Sequence, residues 1–374
     1  MKEGKTIHKA LILALASFLL FETDASANSS SVPDATVLNP EISITLEHMF
    51  KERSQLLLDG NGKRIERYYI GGNEQSYKSF LNELKRSQYV NSWADKRNIA
   101  FTQASSEIFI KKCIIDGNQA RIFLDNSLKL TYIYLDRLLP SQSIGIGTRH
   151  SIVAKRGKDG WKISKEWYLD PLSENPNLIP QTSSGSAPFV KSYKLTPLTN
   201  EKYDRSRAVS YANKYAGRAW GAGNGGRYNT KYKDYTGSGG DCTNFVSQVI
   251  GDPTEGGGLS MNRQWNYRSW AGGGSSAWFH TDLFKNQLLQ SGHATLIAKG
   301  LFPDIVRSIE TTNHLYPGDL IGYVLKGNVD HFSVIVGFDS NGYPLVNSHT
   351  ADRYRVPFDL GWDKYTEYLI IHIH

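Results

Sequence analysis

The sequence predicts an α+β protein of two domains, from three observations. Helical periodicity over residues 43–96 gives way to runs alternating every second residue. A Pro-, Ser- and Asn-rich stretch then interrupts the chain at 172–202. After it, a second helix-then-hairpin pattern fills 203–374. In "TLEHMFKERSQLLL", Leu46, Met49 and Phe50 share a helix face, as do Phe80, Leu81 and Leu84 in "SYKSFLNELKRSQYVNSW". "SEIFIKKCIID", "QARIFLDNSLKLTYIYLD" and "RHSIVAKRGKDGWKISKEWYLD" read as antiparallel strands, the last folding back at Gly157–Gly160. Domain limits of 43–171 and 203–374 follow, joined by a linker over 172–202.

The N-terminus reads as an export signal. Lys2, Lys5 and Lys9 precede the apolar run "ALILALASFLLF", and small residues at Ala25–Ala27 suit cleavage after Ala27. Residues 28–42 form a polar leader, and no later apolar run is long enough to span a bilayer in the mature chain. Lys2, Lys5 and Lys9 are balanced by Glu3, Glu22 and Asp24, so removing the signal leaves the net charge of +7 intact. A secreted or wall-associated basic protein suits anionic wall polymers. The charges are dispersed and carry no nucleic-acid motif, which argues against nucleic acid as a partner. "GAGNGG", Gly221–Gly226, satisfies a dinucleotide-loop pattern but follows a helix rather than a strand, so it reads as a flexible loop.

The two cysteines, Cys113 and Cys242, fall in different domains, which argues against a disulfide. Cys113 sits in a strand pattern as a packed thiol. Cys242 is different. In "GSGGDCTNFVSQVIG" it opens a short helix whose apolar stripe is Phe245, Val246, Val249 and Ile250. The positive end of a helix favours thiolate, and a paired imidazole would bring the thiol pKa to roughly 3.5–7.5. Asp241 reads as the helix cap, and Gly240 lets a substrate approach backbone N–H groups that hold an oxyanion. In "NVDHFSVIVGFDSNGYPLVNSHT", His331 starts one strand, and the return strand brings Asn347 near it. Cys242 as nucleophile, His331 as base and Asn347 as the orienting residue make a triad. His349, on the same strand face as Asn347, is the alternative third member. Trp265, Trp270 and Trp278 are candidates for lining a substrate groove. No metal or cofactor is expected.

Two resemblances extend this reading. The helix-then-strands order of 43–171 is similar to the cone-shaped nuclear-transport-factor-like fold. "GGDCTNFVSQ", with "YANKYAG" before it and "SAWFHTDLFKNQLL", "YPGDLIGY" and the His331 hairpin after it, resembles the amidase domain of exported bacterial proteins. That family is a relative of the NlpC-like, CHAP and papain-like cysteine hydrolases, and the likeness covers about 203–374. It implies a papain-like domain, its nucleophile helix packed on an antiparallel sheet, that cleaves amide bonds in cell-wall peptide or protein. Papain-like proteases place an oxyanion-donating glutamine six residues before the cysteine. Here that position is Thr236, so the donors must come from elsewhere.

Overall fold

A computed structural model describes residues 39–181, 202–268, 270, 272–312 and 315–374. The expected signal peptide and residues 182–201 of the expected linker lie outside these limits. No described helix is long and apolar enough to cross a membrane.

Helix α1 (Pro40–Asp59) starts at Asn39, whose side chain accepts from the Glu41 and Ile42 N–H groups, and ends at Gly60 in the left-handed region. After the single turn α2 (Lys63–Glu66), α3 (Glu74–Arg97) is capped by Asn73. Four antiparallel strands follow: β1 (Ile99–Asp116), β2 (Gln119–Tyr134), β3 (Gln142–Gly157) and β4 (Gly160–Tyr168). The hairpin closes at Gly157 opposite Gly160, as the sequence predicts. Met49, Phe50 and Leu46 of α1 bury against Ile122, Leu124 and Ile152, with Cys113 among them.

The C-terminal half contributes α4 (Arg205–Lys214), α5 (Cys242–Gly251), the short pair β5 (Tyr267–Arg268) and β6 (Gly273–Gly274), α6 (Ser276–Phe279) and α7 (Thr281–Gln290). Then come β7 (Ala294–Leu301), α8 (Phe302–Thr312), β8 (Leu320–Leu325), β9 (Asn328–Phe338), β10 (Pro344–Ser348), β11 (Asp352–Pro357) and β12 (Glu367–Ile373). Phe245, Val246, Val249 and Ile250 pack with Phe284 of α7 on one sheet face, against Phe332, Val334 and Val336. On the other face Phe302, Ile305 and Ile309 of α8 cover Tyr323, Ile335 and Tyr368.

The two expected units are joined by more than a linker, because they share one sheet. One ten-stranded sheet runs β1-β2-β3-β11-β10-β9-β8-β12-β7, with β4 beside β3. The edge of β3 is shared: residues 150–157 pair with β4, and Gly145, Ile146 and Gly147 pair with Tyr354, Arg353 and Asp352 of β11. Strand β3 is long enough to serve both partners, which strand periodicity alone does not reveal. Leu172 and Ile179, from the start of the expected linker, are buried in a core that also holds Trp93, Ile144, Val356 and Leu360. Two residues of that list come from each half, so this core lies across the junction.

Candidate active site

Helix α5 opens at Cys242 behind Gly239 (φ 110°) and Gly240 (φ 125°), left-handed conformations that suit glycine. All ten residues of α5 are buried. Its polar side chains are nevertheless satisfied. Trp278 Nε1 donates to Asn244 Oδ1 (2.8 Å), Trp265 Nε1 to Ser247 Oγ (2.9 Å) and Tyr211 Oη to Gln248 Oε1 (2.8 Å). Trp265 and Trp278 are therefore core residues that anchor the helix, not the walls of a groove. Only Trp270 of the three expected groove residues is exposed, with the Arg268 guanidinium over its ring.

Asp241 stands at the N-cap position of α5, but its side chain makes no capping bond there. Its carboxylate instead accepts from Tyr235 N–H (2.8 Å) and Asn244 Nδ2 (2.8 Å), and pairs with His349 Nδ1 at 2.7 Å. The Asp241 N–H donates to Thr350 Oγ1 (2.8 Å). Gly240 lies over the same threonine, where a methyl group would come within 3.2 Å of Oγ1. His349 Nε2 faces the Tyr215 carbonyl at 2.6 Å, so both ring nitrogens are engaged. The ring is held flat between Tyr228 (centroids 3.7 Å apart) and Phe245 (3.9 Å). Phe245 lies one turn beyond Cys242, so this imidazole belongs to the nucleophile-helix side of the sheet.

His331 does not. On β9, Phe332, Val334 and Val336 face α5, whereas His331 pairs in register with Tyr323 and packs near Tyr323 and Trp362 on the opposite face. Burial first, then the Arg353 and His349 charges, push its pKa down to about 3. Its Nε2 has no hydrogen-bond partner among the described residues. The expected contact between Cys242 and His331 is therefore absent in this arrangement. The reason is strand parity: an imidazole one residue from Phe332 must face the other way unless the strand is re-registered.

Asn347 also departs from expectation. It pairs with Val334 rather than His331, and its side chain points to the α4 side. Nδ2 donates to Ala212 O and Asn213 Oδ1 (both 3.0 Å), while Oδ1 accepts from Arg355 N–H at 2.7 Å. These bonds tie β10 to α4 and β11 and leave nothing to orient His331. Asn347→Ala should thus cost about 1–3 kcal/mol of stability by stranding buried polar groups. Urea unfolding would check this, and an unchanged midpoint would contradict it.

Cys242 is 7% exposed, and its thiol pKa is raised, not lowered. Burial is the largest cause and the Asp241 carboxylate adds to it, outweighing the Phe332 N–H and Thr243 bonds that act in the other direction. Both cysteines are free thiols. Thr236 heads a short turn, its Oγ1 without a partner among the described residues. Among those residues no three His, Cys, Asp or Glu converge as a metal site.

Tyr228, Thr350 and Asp352, which surround His349, escaped the sequence reading. Each lies in a loop or at a strand end with no periodic signature. The "SHT" run ending at Thr350 was the one available pointer.

No curated protein matches this sequence. Similar solved structures include the intermembrane space region of chloroplast protein ARC6 (12% identity, 34% of this chain and 93% of that one, TM-score 0.25). They also include an NTF-2 like protein of unknown function from Shewanella oneidensis (10% identity, 35% and 97%, TM-score 0.21). A third is the Kfla4162 protein from Kribbella flavida (14% identity, 37% and 95%, TM-score 0.25). Likenesses this slight carry no argument about function. The C-terminal half is another matter: residues 202–371 match the family described as "Putative amidase domain".

Proposed function

We propose that the C-terminal half hydrolyses amide bonds with Cys242 as its nucleophile. The observation that carries this reading is the position of Cys242. It heads a wholly buried helix behind two left-handed glycines, and the preceding residue is hydrogen-bonded to His349. In the reaction the thiol loses its proton to an imidazole and its sulphur attacks the amide carbonyl. The carbon–nitrogen bond then breaks as the amine takes that proton, and water hydrolyses the thioester to restore the thiol.

Neither imidazole reaches the sulphur in the resting arrangement. We assign the base to His331, because the Phe332 N–H next to it already lies at the thiol. The register of β9 against β8 also skips Asp330, directly before His331. Such bulges are places where a strand re-aims a side chain. Turning this strand start carries a neutral ring to the thiol side, while the His349–Asp241 pair stays fixed below it. Cell-wall peptide is the proposed substrate and export the proposed location, supported by the basic charge and the N-terminal signal pattern. Together these make a papain-like cysteine hydrolase.

The raised thiol pKa favours a second reading, a surface-binding protein on a hydrolase scaffold. One experiment separates them: purified cell wall is incubated with the full chain and with Cys242→Ala, and new amines are identified by mass spectrometry. We expect release by the parent and a loss of several orders of magnitude in the variant, with thermal unfolding little changed. Equal release by both would end the cysteine assignment, and no release by either would favour the binder. Cleavage of ordinary proteins instead would indicate a secreted protease, and amine-dependent coupling an acyltransferase.

A further inference from the structure

The N-terminal half contacts the surroundings of His349 directly. Gly145, Gly147 and Arg149 alternate along β3 and so share the face that carries α4 and α5. The chain at Arg218–Trp220 crosses both glycines so closely that a methyl group on Gly145 would overlap the Trp220 carbonyl. One on Gly147 would sit 2.7 Å from Ala219 N. Two steps along, Arg149 reaches into the C-terminal half. Its Nη2 donates to Tyr228 Oη (2.6 Å) and Asp352 Oδ2 (3.1 Å), and its Nη1 lies 3.5 Å from the Thr350 carbonyl.

Each of those three groups bears on the site. Tyr228 donates to Asp352 Oδ1 (2.5 Å) and is the ring stacked on His349. Asp352 Oδ2 also accepts the Arg218 N–H (2.9 Å), and Arg218 Nε donates to Asp125 of β2 (3.1 Å), a second bridge between the halves. Thr350 supplies the oxygen that receives the Asp241 N–H, next to Cys242. Thr350 holds φ at 81°, a conformation a β-branched residue keeps only when its surroundings over-determine it. The contacts at its carbonyl and hydroxyl are such surroundings.

We propose that Arg149 is a positioning residue for the C-terminal site: the N-terminal half acts as a built-in partner that holds the His349–Asp241 pair beside Cys242 through Tyr228, Asp352 and Thr350. Its effect on turnover rests on the hydrolase reading above, but its effect on His349 does not. Arg149 touches no reacting atom, and it sets where the imidazole and the residue before the nucleophile stand.

The test uses the full chain carrying Arg149→Met and Arg149→Lys, with Arg156→Met as a control, since Arg156 lies on the same strand but pairs with Glu41 at the surface. Imidazole nitrogen resonances, with His349 assigned by His349→Gln, are read beside kcat and KM for amide cleavage. Arg149→Met should move the His349 resonances and lower kcat about tenfold or more, with KM little changed. Arg149→Lys should recover part of both, and Arg156→Met should alter neither. If Arg149→Met does not fold, Tyr228→Phe keeps the stacked ring, removes the hydroxyl and should shift both readouts in the same direction. Wild-type His349 resonances in folded Arg149→Met would overturn the proposal, as would a loss of kcat that Lys does not relieve at all. Should the parent cleave no amide while the resonances still respond to Arg149, the hydrolase reading fails and the positioning stands.

Discussion

Asp359→Ala is expected to destabilise the full chain by about 3–5 kcal/mol, the range for removing one partner of a buried ion pair. Asp359 is fully buried, and its Oδ2 receives Arg97 Nη2 (2.5 Å) and Trp93 Nε1 (2.9 Å), both from α3. Its Oδ1 receives the Tyr343 hydroxyl at 2.5 Å. Without the carboxylate the Arg97 guanidinium keeps only the Tyr343 hydroxyl and backbone carbonyls, and stays buried over the Phe302 ring with no counter-charge. The loss falls on the seam between the halves, so one urea transition should move as a whole. The double variant Asp359→Leu/Arg97→Met should recover much of the loss, because two apolar side chains strand no charge. A single substitution costing under about 1 kcal/mol would show that water reaches this pair.

The second large effect concerns acid. His331 titrates at about 3 in the folded chain, against roughly 6.5 for an unfolded histidine. Between those values the unfolded chain binds a proton that the folded chain refuses, so stability falls as pH drops through 6.5 toward 3. Above 6.5 both states are neutral and nothing is lost. At about 1.4 kcal/mol per pH unit the full effect is on the order of 4–5 kcal/mol. His331→Asn removes the titration whatever it costs at neutral pH. Urea midpoints at pH 7 and pH 4.5 should therefore lie closer together in the variant than in the parent. An unchanged gap would mean that this ring is not held neutral.

The helices of the N-terminal half were legible because Met49, Phe50 and Leu46 repeat at helical spacing and a single face is buried. The hairpin at Gly157–Gly160 was legible from its turn residues. Helix α5 could be read from Phe245, Val246, Val249 and Ile250, and with it the place of Cys242. What could not be read was pairing over long separations. Nothing local in "SIGIGTRHS" says that Gly145 and Gly147 lie beside Tyr354 and Asp352, some two hundred residues on. The face of His331 was misread for a related reason. A hairpin fixes which residues lie opposite one another only when its register is known, and a skip at Asp330 is invisible in sequence. The tryptophans were ambiguous because an indole suits a sugar and a core equally, and the Asn244 and Ser247 acceptors that decide the matter lie 34 and 18 positions away in the chain.

The junction between β3 and β11 bears on how this chain tolerates being cut. If the C-terminal half is released at residue 202, β11 becomes an edge strand with its backbone N–H and C=O groups bare. Unpaired strand edges recruit other strands. The apolar residues Val356 and Leu360, no longer covered by Trp93 and Ile144, add a sticky border to that edge. A protease nicking the stretch between the halves leaves them clasped, whereas expressing the C-terminal half alone invites self-association. Scission and separation are thus different events for this protein, and only the second exposes the seam.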